Sequence, residues 1–137
     1  MTAMPKGYVI FTEAIHDPDG MNAYGRASGP TVAEHGAMVL AVDERFEVLE
    51  GAWHGERTVV LEFESVDAAR KWYECDAYQA AIPLRQAAAE SNAVLISGFE
   101  PPNGFRNTSV FPVASAASIA AALVIGWKFD EYANVGL

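Results

Sequence analysis

The sequence predicts an α+β domain over residues 6–99 with the order β-α-β-β-α-β, a four-stranded antiparallel sheet and both helical regions on one face. Three observations predict it. Four runs rich in β-branched and aromatic residues (GYVIFTEAIH, AMVLAV, RTVVLEFE and AVLISGF) are separated by cap and turn signals. Two longer stretches between them repeat apolar residues at helical spacing. Hydrophobic residues make up 51% of the 137, enough to build a core.

The first run, 7–16, is apolar on both sides, as in a central strand. Asp17 is suited to an N-cap and Pro18 to the first helical position, opening a helix over 19–35. Met21, Tyr24, Ala27, Val32 and His35 recur along it; Ser28-Gly29-Pro30 predicts a kink or two helical pieces, and Gly36 a stop. The second strand is 37–42, followed by a turn at Asp43-Glu44-Arg45, and 46–49 is expected to extend the sheet weakly. In 57–64 Thr58, Val60, Glu62 and Glu64 share one face and Val59, Leu61 and Phe63 the other. Ser65 caps the second helical region and Asp67 suits its first turn. That region restarts after Cys75-Asp76 and runs to Glu90, with Pro83 near a bend; 93–99 is the fourth strand. The remaining sheet face is apolar and needs a cover, which a second copy supplies most simply.

Eighteen acidic residues against nine basic ones give a net charge of −9, which repels phosphate backbones and anionic headgroups; no nucleic-acid partner is expected. Cys75 is the sole cysteine, so no internal disulfide forms, which suits a cytoplasmic location. No secretion signal is read at the start of the chain. The sequence contains no P-loop, no strand-linked G-x-G-x-x-G, no HExxH and no Cys/His cluster. Three scattered histidines do not make a transition-metal site, and no metal or cofactor is expected.

Residues 100–104 (EPPNG) read as a linker. Beyond them, 110–127 carries no charge, but Pro112, two serines and many alanines make an Ala-rich docking helix the expected reading over a membrane span.

The run TVVLEFESVDAARKWYECDAYQAAIPLRQAAAESNAVLISGF, with KGYVIF, Tyr24, Pro30, His35-Gly36 and VLEG before Trp53, resembles the domain of unknown function 1330 family over residues 6–99. One departure is Asp43-Glu44, where a glycine pair often follows the second strand. The resemblance implies a ferredoxin-like domain of the dimeric α+β barrel group, in which two sheets pack face to face. That group includes muconolactone isomerases, polyketide cyclases, cofactor-free monooxygenases and haem-binding enzymes. It also implies a ligand held between sheet and helices.

On these grounds the candidate catalytic residues are His16, Glu62 and Arg85. Arg85 can grip a carboxylate or enolate oxygen, or pair structurally with Glu62 or Glu74. Glu62 becomes a usable base if it points into the helix-side layer, and His16, ending the first strand, can exchange protons near neutrality. Tyr24, His35, Trp53, Trp72, Tyr73 and Tyr78 are candidate substrate-binding residues. Trp72 and Tyr73 also suit the core, His35 also suits a helix end, and Tyr24 is the best hydroxyl donor. His54 is expected in a solvated loop, and Cys75 as an inert thiol. The expected function is a cofactor-free isomerase, cyclase, lactone hydrolase or monooxygenase acting on a small organic acid, lactone or cyclic ketone. The alternatives are a non-catalytic, stress-associated ligand-binding dimer, or a dimerisation module whose tail docks a partner.

Overall fold

A computed structural model describes residues 4–100 of the chain. The elements are β1 (Gly7–Ile15), α1 (Pro18–Glu34), β2 (Met38–Asp43), β3 (Arg57–Phe63), α2 (Val66–Glu74), α3 (Asp76–Ala88) and β4 (Ala89–Ser97). The strands form one antiparallel sheet in the order β2-β3-β1-β4, the ferredoxin-like arrangement. The expected linker and tail lie outside the described residues apart from Glu100. Among the described residues no helix is long and apolar enough to cross a membrane.

Alternation along the strands sorts the two faces. Val9, Phe11 and Glu13 of β1 and Arg57, Val59, Leu61 and Phe63 of β3 are buried, while the residues between them are half-buried. Register sets Val9 opposite both Leu61 and Leu95, and Glu13 opposite Arg57. The helices cover this face with Met21, Tyr24, Val32, Ala69, Trp72, Tyr78, Ala81 and Ile82. Burial of such side chains stabilises by about 1.5–3 kcal/mol for each large one. Trp72 anchors the layer, lying 4.1 Å from Tyr78 and 5.3 Å from Phe63 between ring centroids, with Phe11 edge-on at 6.4 Å.

The caps follow the sequence. The Asp17 carboxylate accepts the Gly20 N–H at 3.1 Å and the Ser65 hydroxyl that of Ala68 at 3.0 Å. Cys75, in extended backbone, ends α2 and begins α3, its sulfur accepting the Tyr78 N–H at 3.4 Å.

Three expectations are corrected. α1 runs unbroken through Pro30 and is not two helical pieces. The Pro30 ring is exposed, the carbonyl it leaves without a donor belongs to exposed Arg26, and the Thr31 hydroxyl bonds the Ser28 carbonyl at 2.6 Å. Residues 46–49 form no strand; the 44–56 connection is irregular, with Gly51 and Gly55 at left-handed φ. At Gly55 a side chain would also strike the Glu13 carbonyl, so only glycine fits. β4 begins at Ala89 rather than 93 because β1 pairs with it along its whole length, from Ile15↔Ala89 to Gly7↔Ser97. Helix gives way to strand with no residue between, and the Ala88 carbonyl accepts the His16 and Asp17 N–H groups, each at 3.0 Å.

Candidate functional site

The covered face should be apolar, and it is interrupted by a cluster of charged and hydroxyl groups. Glu13 from β1 is 3% exposed and Arg85 from α3 is 5% exposed. Arg57, from β3, is also buried and lies 3.9 Å from Glu13 and 3.4 Å from the Glu44 carboxylate. Among the described residues Arg85 makes no ion pair within 4.0 Å. Its guanidinium lies over the rings of Phe11 (5.3 Å) and Tyr24 (5.7 Å), and its Nε has no hydrogen-bond partner. Tyr78 and Tyr24 hydroxyls are within its hydrogen-bonding reach and lie 2.7 Å from each other.

The electrostatics follow from burial. Dehydration raises the Glu13 carboxyl above the ordinary glutamate range, against the pull of the Arg57 and Arg85 cations. Burial also raises both tyrosines, Tyr24 well above the phenol range. The two hydroxyls share one hydrogen bond in which either can donate. Burial works against the Arg85 charge, but attraction to Tyr78 and Tyr24 overrides it and raises its pKa. Arg85 is therefore a fixed cation beside two phenols, with a carboxyl of raised basicity in its field.

Below α1 the cluster borders a cavity of about 20 Å³ lined by Glu13, Tyr24, Ser28, Arg57 and Trp72 together with apolar side chains. That volume suits a water, whereas organic ligands occupy pockets of roughly 300–1,000 Å³. A wider groove of about 250 Å³ runs between α2 and β4, walled by Arg70, Tyr73 and Glu74 with Val9, Ala93, Val94 and Leu95.

The structure brings together Arg85, Tyr24, Tyr78 and Trp72 from the sequence expectation. Glu62 lies elsewhere: it is on the open face, where it accepts the Tyr8 hydroxyl at 2.9 Å. Neither it nor Glu74, which lines the outer groove, pairs with Arg85. His16 is exposed beyond the end of β1. His35 closes α1, its Nδ1 2.9 Å from the Thr31 carbonyl. Trp53 is exposed and donates to Thr58 on the open face at 2.8 Å; Tyr73, also exposed, keeps its ring 5.6 Å from Tyr78. His54 is half-buried on that open face, Nδ1 2.9 Å from Thr12 and Nε2 3.7 Å from Glu90. Glu13, Arg57 and Ser28 were not foreseen. Counting every second residue from Val9 and Phe11 reaches Glu13, a signal present in the sequence. Among the described residues no group of three His, Cys, Asp or Glu could hold a metal ion.

No functionally curated protein matches the sequence. Among solved structures, a protein of unknown function from Rhodopseudomonas palustris is 24% identical, covering 71% of this chain and 85% of its own, with a TM-score of 0.57. SnoaB, a cofactor-independent oxygenase from Streptomyces nogalater, is 10% identical, covering 72% and 98%, with a TM-score of 0.51. At these identities the likeness is one of fold. The family described as Domain of unknown function (DUF1330) matches residues 6–99, and the chain belongs to it.

Proposed function

We propose that this protein is a cofactor-independent acid/base enzyme acting on a small organic acid or carbonyl compound. The observation that carries the reading is Arg85, a buried guanidinium with no ion pair within 4.0 Å among the described residues, beside a hydrogen-bonded tyrosine pair. In this reading Arg85 holds the substrate's anionic or carbonyl oxygen, and Tyr24 and Tyr78 donate to the charge that develops there. Glu13, rather than Glu62 or His16, moves the proton, since burial makes it a stronger base than a solvated glutamate. SnoaB works without a cofactor on the same fold, which is the extent of what the reading borrows from it.

A second copy covers the open sheet face. Supporting this are the exposed side chains of Leu40, Val94 and Ile96, an apolar surface that a soluble monomer rarely leaves wet.

The test uses levulinate, a 4-oxo acid, as probe. Wild type should gain thermal stability with it and accelerate deuterium exchange at its α-carbons in heavy water. Arg85→Met should abolish both effects, whereas Glu13→Gln should keep binding and lose exchange. Binding without exchange would make the protein a ligand-binding dimer. Unchanged behaviour in both variants would remove these roles.

A further inference from the structure

The cavity of about 20 Å³ between α1 and the sheet is mostly apolar, but Glu13 and Ser28 line it and both are almost wholly buried. Glu13 Oε1 and Ser28 Oγ have no hydrogen-bond partner among the described residues. The Arg57 Nη1 facing that carboxylate oxygen stands 3.9 Å away, beyond hydrogen-bond reach. A purely apolar space of this size stays dry; one above the roughly 10–15 Å³ that a water needs, with two or more polar groups on its wall, is filled.

We propose that Glu13 and Ser28 hold a single long-lived internal water. The water donates to Glu13 Oε1 and exchanges a hydrogen bond with the Ser28 hydroxyl, which can give or take one. The turn carrying Ser28 is pinned for this purpose: the Trp72 indole N–H donates to Thr31 Oγ1 at 2.9 Å, and that hydroxyl donates to the Ser28 carbonyl at 2.6 Å. The tryptophan thus acts at two levels, filling the core and setting the position of a serine on the far wall. The water satisfies both buried groups and gives the carboxyl a solvating partner in an otherwise dry layer. The inference needs no substrate and stands apart from the role given to Arg85.

A high-resolution crystal structure of the full chain should show density within hydrogen-bond distance of both Glu13 Oε1 and Ser28 Oγ. In solution, water-oxygen-17 relaxation dispersion should find one slowly exchanging water fewer in Ser28→Val, whose methyls occupy the space. Glu13→Gln, which preserves volume and an acceptor, should retain it. A site without density, or equal dispersions for wild type and Ser28→Val, would overturn the proposal. The crystallographic arm needs no variant, so it decides the matter if Ser28→Val does not fold.

Discussion

Alternate residues of the same strands build the two faces of the sheet, and the faces treat polar groups in opposite ways. On the open face each polar group of the central strands meets a partner across the sheet or from the 44–56 segment: Tyr8 with Glu62, Thr12 with His54, Thr58 with Trp53. On the covered face Glu13, Ser28 and Arg85 each retain a buried atom without one. A buried group left unpaired costs about 1–3 kcal/mol. Paired groups on a half-wet surface are explained by stability, whereas unpaired ones in a core point to a ligand or a solvent molecule. The location of the unmet demand, rather than the number of polar residues, separates candidate site from scaffold.

The contrast can be tested from the strongest effect downward. Trp72→Ala removes the side chain that joins the covered layer and should cost about 3–5 kcal/mol in urea unfolding; a loss below 1 kcal/mol would mean that the layer does not depend on it. Glu13→Gln tests the carboxyl itself. Because burial raises its pKa in the native state, native protein holds that proton more tightly than the unfolded chain. Its stabilising contribution is therefore fully present below the ordinary glutamate range and is lost as pH rises through the raised native value. Glu13→Gln should match wild type in acid and gain on it with rising pH, by up to about 1.4 kcal/mol per pH unit. A difference that is flat with pH would show the carboxyl to be unperturbed.

Tyr8→Phe, on the open face, should cost about 0.5–1.5 kcal/mol, since it removes an ordinary hydrogen bond and leaves Glu62 half-solvated. Ile96→Glu should have the least effect on the folded unit, within about 0.5 kcal/mol. Ile96 is already 46% exposed, but a charge placed there should halve the mass measured by sedimentation. A wild type that sediments as a monomer would break the proposal that a second copy covers this face.

Much of the fold was legible because period-2 patterns and caps are local. The first three strands and the caps at Asp17 and Ser65 appear where residue chemistry puts them. The errors lie where a distant partner decides. β4 starts early because β1 offers pairing as far as Ile15, and α1 stays whole because Pro30 faces solvent. The site was half legible. Tyr24, Tyr78 and Arg85 can be found from helical spacing and residue type, but Glu62, the candidate base, is set on the other face by its alternation with Leu61 and Phe63. The same alternation in β1 marks Glu13. Its cross-strand neighbour Arg57 is fixed by register, which no single strand reveals.

The direct passage from α3 into β4 has a mechanical consequence. With no hinge residue between Ala88 and Ala89, and with the Ala88 carbonyl tied to two N–H groups at the end of β1, there is no slack at the joint. Arg85 stands one helical turn above it. The pairing of β4 with β1 therefore also sets where the guanidinium stands over the sheet, and a one-residue slip of that edge strand would carry Arg85 off its place.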